Sequence, residues 1–184
     1  MSKIVLVTGG SRSGKSVLAE QKAVEYGGSS VVYLATAIPT DDDMRERIRL
    51  HQARRDQNWD TYEGYRNLDQ VMKETDKSTA LLDCITVLIT NILFEAERDF
   101  DTISKDEIAA LQVEIIEEVK RIVEASRENN KNLIIVTNEV GMSLVPAYRL
   151  GRIFSDINGK VNEILAGLSD EVYFSVCGIP IKLK

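Results

Sequence analysis

The sequence predicts an α/β domain built on a mainly parallel sheet flanked by helices on both faces. Three observations lead there. Short unbroken apolar runs alternate with stretches of helical composition along the chain. The runs lack the polar alternation of a sheet with one wet face, so their strands are buried on both sides. A glycine-rich turn joins the first run to the first helix, the beginning of a βαβ unit.

Each element has its own signal. Residues 4–7 (IVLV) read as a core strand bounded by Lys3 and by Gly9-Gly10. Residues 15–26 (KSVLAEQKAVEY) read as a helix that stops at Gly27-Gly28. Residues 31–36 (VVYLAT) form the second strand. Asp41, Asp42 and Asp43 open a strongly charged stretch, DDDMRERIRLHQARRDQNW, with too few apolar residues to bury much, so it reads as an exposed helix. A short strand over 61–64 and a short helix over 68–73 follow, and residues 80–83 (ALLD) are a core strand ending in a carboxylate.

Residues 85–97 read as a helix buried early and exposed late. Ser104 with Glu107 is a capping-box pair, and Ile108, Leu111, Ile115, Val119 and Ile122 recur at helical spacing behind it. Residues 133–137 (LIIVT) are another parallel-type strand; Leu150, Ile153, Phe154, Ile157, Val161, Ile164, Leu165 and Leu168 mark a further amphipathic helix. Residues 172–176 and 179–183 close the chain as strands, a hairpin around Gly178 and Pro180. No repeat or linker divides residues 1–184, so a single domain is expected.

Composition narrows the function. With 23 Lys+Arg against 29 Asp+Glu the net charge is −6, which argues against broad phosphate neutralisation on a nucleic acid and leaves small anionic ligands open. The 43% hydrophobic content over 184 residues supports a real core and excludes a disordered chain. Cys84 and Cys177 sit in separate apolar runs and read as buried thiols of a reducing, cytoplasmic setting. No apolar run is long enough to span a bilayer.

Open α/β sheets bind ligands at the carboxyl ends of their strands. Here those ends carry Thr8-Gly9-Gly10, Thr36, Asp83 and Asn138-Glu139. Gly9, Gly10, Ser11, Arg12, Ser13, Gly14, Lys15 and Ser16 fit G-x-x-x-x-G-K-[ST] between a strand and a helix, the setting a P-loop requires. Backbone N–H groups and the helix N-terminus would cradle a phosphate, Lys15 would reach the terminal phosphates, and Ser16 would hold Mg²⁺. Asp83 is the candidate second acid of the metal site, or else a strand-end cap for the next helix, with Glu139 a second choice.

His51, the only histidine, lies among Arg47, Arg49, Arg54 and Arg55. It reads either as part of a solvated basic helix face or as a neutral imidazole suited to attack phosphorus, since the guanidinium groups disfavour its protonation and stabilise developing oxyanion charge. Trp59 and Tyr62 read as packing residues rather than platforms for a base, Met142 as core, and Arg149 and Arg152 as solvated helix charges rather than phosphate ligands.

The ordered set VTGGSRSGKS, YLAT, RIRLHQARRDQNWDTYEG, LLDCIT, VTNEVGMSLVP, RLGRIFSDINGKVNEILA and the terminal stretch Cys177-Gly178-Ile179 resembles, over nearly the whole chain, the bifunctional adenosylcobinamide kinase / adenosylcobinamide-phosphate guanylyltransferase family of cobalamin synthesis. The resemblance implies a RecA-like P-loop fold, a homotrimer, and two steps. In the first, ATP or GTP phosphorylates adenosylcobinamide. In the second, GMP from GTP is transferred to the product, giving adenosylcobinamide-GDP, through a GMP phosphoramidate on the histidine matched by His51. It also implies nucleotide contacts at the P-loop, at Leu34, Ala35 and Thr36, at Gln52, Ala53, Arg54 and Arg55, at Glu63 and at Asp83. Asp83 stands where family members carry Glu, one methylene longer. The scheme requires the segment around His51 to swing toward the P-loop. Two readings compete with it: a small-molecule P-loop kinase that forms no covalent intermediate, and a nucleotide-responsive module that transfers nothing.

Overall fold

A computed structural model describes residues 2–39 and 42–184, apart from the side chains of Asp43, Met44, Arg47, Leu50, His51 and Arg54. Asp41 and the imidazole of His51 therefore lie outside the described residues, as do the guanidinium groups of Arg47 and Arg54.

In chain order the elements are β1 (Ile4–Gly9), α1 (Lys15–Gly27), β2 (Val31–Ala35), α2 (Asp42–Arg54), β3 (Asp60–Glu63), α3 (Leu68–Glu74), β4 (Thr79–Asp83), α4 (Ile85–Phe94), α5 (Lys105–Glu128), β5 (Asn132–Val136), α6 (Arg149–Leu168), β6 (Glu171–Val176) and β7 (Ile179–Lys182). They form one seven-stranded sheet of order β3-β2-β4-β5-β1-β6-β7. Every pairing is parallel except that of β6 with β7. This is the α/β architecture the sequence predicts, with β5 inserted between the P-loop strand β1 and the strand that ends in Asp83.

Strand residues alternate between two cores, as a period of two requires. Ile4, Leu6, Val32, Leu34, Leu82 and Ile135 face the layer built by α3, α4, α5 and α6. Val5, Val7, Tyr33, Ala35, Leu81 and Val136 face α1, which sits close to the sheet because the residues it buries there are Ala19 and Ala23. Trp59 and Tyr62 pack against these cores, as expected. On α5 the predicted capping box is complete: Ser104 Oγ accepts from Glu107 N, and the Glu107 carboxylate accepts from Ser104 N. Such a cap contributes about 1 kcal/mol. Behind it Ile115, Val119 and Ile122 are buried, each stabilising the fold by about 1.5–3 kcal/mol.

Three expectations are corrected. Arg149 is no solvated helix charge: it is half-buried, and its guanidinium donates to Phe100 O, Asp101 O and Ile103 O. Met142 is not core but 79% exposed, because it lies in the loop between β5 and α6, where no helical or strand periodicity turns it inward. Cys177 is exposed too. It and Gly178 form the two-residue turn of the β6–β7 hairpin, both with positive φ, and a type I′ turn of this kind points its side chains into solvent. Cys84 is buried, as expected.

Candidate functional site at the carboxyl edge of the sheet

The parallel pairings bring the ends of six strands to one edge. Register places Glu63 beside Ala35, Ala35 beside Asp83, Asp83 beside Val136, and Gly9 beside Ser175. Ligand-facing positions predicted from five separate stretches of sequence thus lie along one line.

The P-loop follows β1. Gly9 has no room for a side chain: a Cβ there would lie 2.4 Å from Ser175 O and 2.7 Å from Ser13 Oγ. Gly14 precedes α1 with φ +90°, a conformation L side chains rarely adopt, and a Cβ would lie 3.0 Å from Gly178 Cα. The Lys15 ammonium donates to Gly10 O at 2.9 Å, so the lysine is folded over the loop. Ser13 O accepts from Ser175 Oγ at 2.6 Å and from Gly178 N at 2.9 Å. The hairpin therefore fixes a P-loop peptide from the side opposite β5. Ser13 Oγ is buried with no hydrogen-bond partner among the described residues. Ser11 and Arg12 are exposed and Ser16 is half-buried.

Asp83 closes β4, two strands from β1. Tyr33 Oη donates to Asp83 Oδ2 at 2.6 Å. Burial, and after it the Asp83 charge, pushes the Tyr33 phenol far above its ordinary value, so it remains a donor. The Cys84 thiol is pushed up to about 12, first by burial and then by Asp83, which leaves it no nucleophile at neutral pH. Ser16 and Asp83 offer a hydroxyl and a carboxylate, hard oxygen donors that suit Mg²⁺. Among the described residues no group of three or more His, Cys, Asp or Glu can hold a metal. An ion at this edge would complete its shell with phosphate oxygens and water, which is how Mg²⁺ sits on nucleotides. The residues fit the ion.

The remaining predicted positions divide. Leu34 is wholly buried in the core, and Thr36 spends its hydroxyl on the Cys84 backbone, accepting from Cys84 N at 2.8 Å and donating to Cys84 O at 2.9 Å. Ala35 is buried between them, so the side chains of this segment shape the edge from within. Gln52 Nε2 donates to Glu63 Oε1 at 2.9 Å, joining two predicted positions, and Ala53 is exposed beside them. With strands about 4.8 Å apart, Glu63 on β3 lies about 19 Å across the sheet from β1. That pair and the P-loop cannot grip the same phosphate. Glu139 N donates to Gly9 O at 3.0 Å, but its carboxylate accepts from Gly141 N in its own loop.

Sequence reading missed Tyr33, Ser175 and Gly178. Only the hydroxyl of Tyr33 in an otherwise apolar strand hinted at a polar partner, since buried phenols nearly always have one. The supports of Asn138 were also missed: its carbonyl accepts from Asn158 Nδ2 and Asn162 Nδ2, and its N–H donates to Thr86 Oγ1.

Comparison with known proteins bears on this edge. The family model described as cobinamide kinase / cobinamide phosphate guanyltransferase matches residues 5–183. The bifunctional adenosylcobalamin biosynthesis protein CobU of Escherichia coli (strain K12) is 39% identical over 183 residues, covering 98% of this chain and 99% of that protein. The protein of the same name from Salmonella typhimurium (strain LT2) is 40% identical over 183 residues, at 98% and 99% coverage. CobP of Pseudomonas aeruginosa (strain PAO1), with the same descriptive name, is 35% identical over 181 residues, covering 97% of this chain and 96% of its own. Among solved structures, a KaiC-like protein of Pyrococcus horikoshii OT3 gives a TM-score of 0.49 at 16% identity, over 94% of this chain and 70% of that one. A phosphate cradle, a strand-end carboxylate and a match spanning almost every residue lead to one conclusion: the chain belongs to the cobinamide kinase / cobinamide phosphate guanyltransferase family.

Proposed function

We propose that this chain phosphorylates adenosylcobinamide with ATP or GTP and then transfers GMP from GTP to adenosylcobinamide phosphate, passing the nucleotide through His51. The observation that carries the reading is the family match over residues 5–183, in a chain whose P-loop is built and braced. In the first step the substrate hydroxyl attacks the γ-phosphorus and a nucleoside diphosphate leaves. In the second, a nitrogen of the neutral His51 imidazole attacks the α-phosphorus of GTP, the bond to pyrophosphate breaks, and a P–N bond holds GMP. The phosphate of adenosylcobinamide phosphate then attacks that phosphorus, and the P–N bond breaks.

The loop N–H groups and Lys15 bind the phosphates and stabilise the charge that develops on the leaving group. Ser16 and Asp83 would hold Mg²⁺, whose charge supplies further stabilisation at the phosphate oxygens. Helix α2 carries His51 on the β2–β3 side of the sheet, so the transfer step needs α2 to approach the P-loop or the nucleotide to bridge the two. Assembly as a homotrimer in the cytoplasm belongs to the same proposal. No helix among the described residues is long and apolar enough to cross a membrane.

The test is intact-protein mass after incubation with GTP and Mg²⁺, with ATP and the His51→Ala variant as controls, followed by peptide mapping. A GMP-sized gain on the peptide containing His51, absent in the variant, is the expected result. No gain, once acid lability of the adduct has been checked, would leave the simple kinase or the non-catalytic module.

A further inference from the structure

Tyr33 is 2% exposed and lies in the α1-facing core, where phenylalanine would fill the same space without bringing a hydroxyl out of water. The hydroxyl reaches past the neighbouring register pair to the last residue of β4, where it binds Asp83 Oδ2 at 2.6 Å. A strand-end carboxylate can rotate; a short hydrogen bond from a rigid phenol restricts which way its oxygens point. The other side of the ring is covered as well. The Arg55 guanidinium carbon lies 3.8 Å from the ring centroid, and Arg55 Nε is buried with no hydrogen-bond partner among the described residues. Arg55 follows directly on α2, four residues after His51. A half-buried cation stacked on an aromatic face is held by the ring. One tyrosine therefore touches both the strand-end carboxylate two strands from β1 and the residue that follows the helix bearing the only histidine.

We propose that Tyr33 is a positioning residue of the phosphate site: its hydroxyl orients the Asp83 carboxylate toward the nucleotide-bound Mg²⁺, and its ring anchors Arg55 at the end of α2. The inference rests on the proposed function only in taking a Mg²⁺-nucleotide as the ligand of this edge. Residues that orient a metal ligand through a hydrogen bond typically change metal affinity or activity by tenfold or more when lost. Tyr33→Phe removes the donor and keeps both the ring and the stack.

The experiment measures the affinity of the full chain for a fluorescent GDP analogue, with Mg²⁺ and in EDTA, for wild type, Tyr33→Phe, Asp83→Asn and the double variant, alongside thermal melting. In Tyr33→Phe the tightening that Mg²⁺ brings should shrink by about tenfold while affinity in EDTA stays within about twofold. In the Asp83→Asn background Tyr33→Phe should change nothing further, because the two act as one unit. Three outcomes would overturn the inference: an unchanged Mg²⁺ effect in Tyr33→Phe, an equal loss with and without Mg²⁺, or an additional loss in the double variant. A wild-type chain whose nucleotide affinity ignores Mg²⁺ would overturn it too. A wild type that shows the Mg²⁺ effect but forms no GMP adduct would sink the guanylyltransferase reading and leave Tyr33 in place.

Discussion

At the P-loop end of the carboxyl edge a single carbonyl, that of Ser13, takes two hydrogen bonds from the β6–β7 hairpin, and Gly9 and Gly14 are hemmed in by Ser175 and Gly178. At the α2–β3 end no described residue of α2 is buried, and the bond between Gln52 and Glu63 is exposed. The ion pairs of α2 between Arg45 and Asp42 and between Arg49 and Glu46 lie within the helix and are exposed. The difference fits two jobs. A phosphate cradle works best when its dipoles are already oriented, since nothing then has to reorganise during the reaction. Under the proposed function α2 brings a nucleophile to the phosphate, and elements that move come from the less stable parts of a fold.

The largest effects should separate the two ends by reaction step. Lys15→Met should cost about 10²–10³-fold in both phosphorylation and GMP transfer, whereas His51→Ala should abolish transfer and spare phosphorylation. Steady-state assays of each half-reaction check this; a His51→Ala enzyme equally impaired in both would erase the distinction. Next comes Gly9→Ala, whose Cβ has nowhere to go against Ser175 O. It should destabilise the fold by about 1–3 kcal/mol, read as a lower denaturant midpoint at unchanged slope. A neutral result would mean that the hairpin yields easily and is no brace.

Ser175→Ala removes one of the two donors to Ser13 O and should cost about 1 kcal/mol, with nucleotide affinity falling about fivefold alike in Mg²⁺ and in EDTA. That equal loss contrasts with the Mg²⁺-specific loss expected of Tyr33→Phe, and a Mg²⁺-specific loss at Ser175 would merge the two roles. Smallest is Gln52→Ala. Its effect on thermal stability should stay within about 0.5 kcal/mol, since the bond it breaks is exposed. A larger drop would show α2 to be as firmly held as the P-loop.

Much of this was legible in the chain. The run IVLV, the glycine pattern and the KSVLAEQKAVEY helix are contiguous, so their chemistry is written in neighbouring residues, and the same holds for the Ser104–Glu107 box and for ALLD ending in Asp83. Met142 was misread because an isolated apolar residue in a loop carries no period to say which way it faces. Cys177 was misread because the hairpin expected around Gly178 and Pro180 begins its two-residue turn at Cys177, as the positive φ of both turn residues shows. The division of the predicted nucleotide contacts into two groups about 19 Å apart was also out of reach, since it depends on strand order.

The sequence by itself determined the element types, the parallel α/β class, the P-loop and the family, because each rests on local pattern or on the ordered set of motifs. Only the tertiary structure decided that Tyr33 meets Asp83, 50 residues away, and that Ser175 meets Ser13 across 162. Hydrophobic periodicity says which residues turn inward. Which strands become neighbours, and in what register, is settled by packing over the whole sheet.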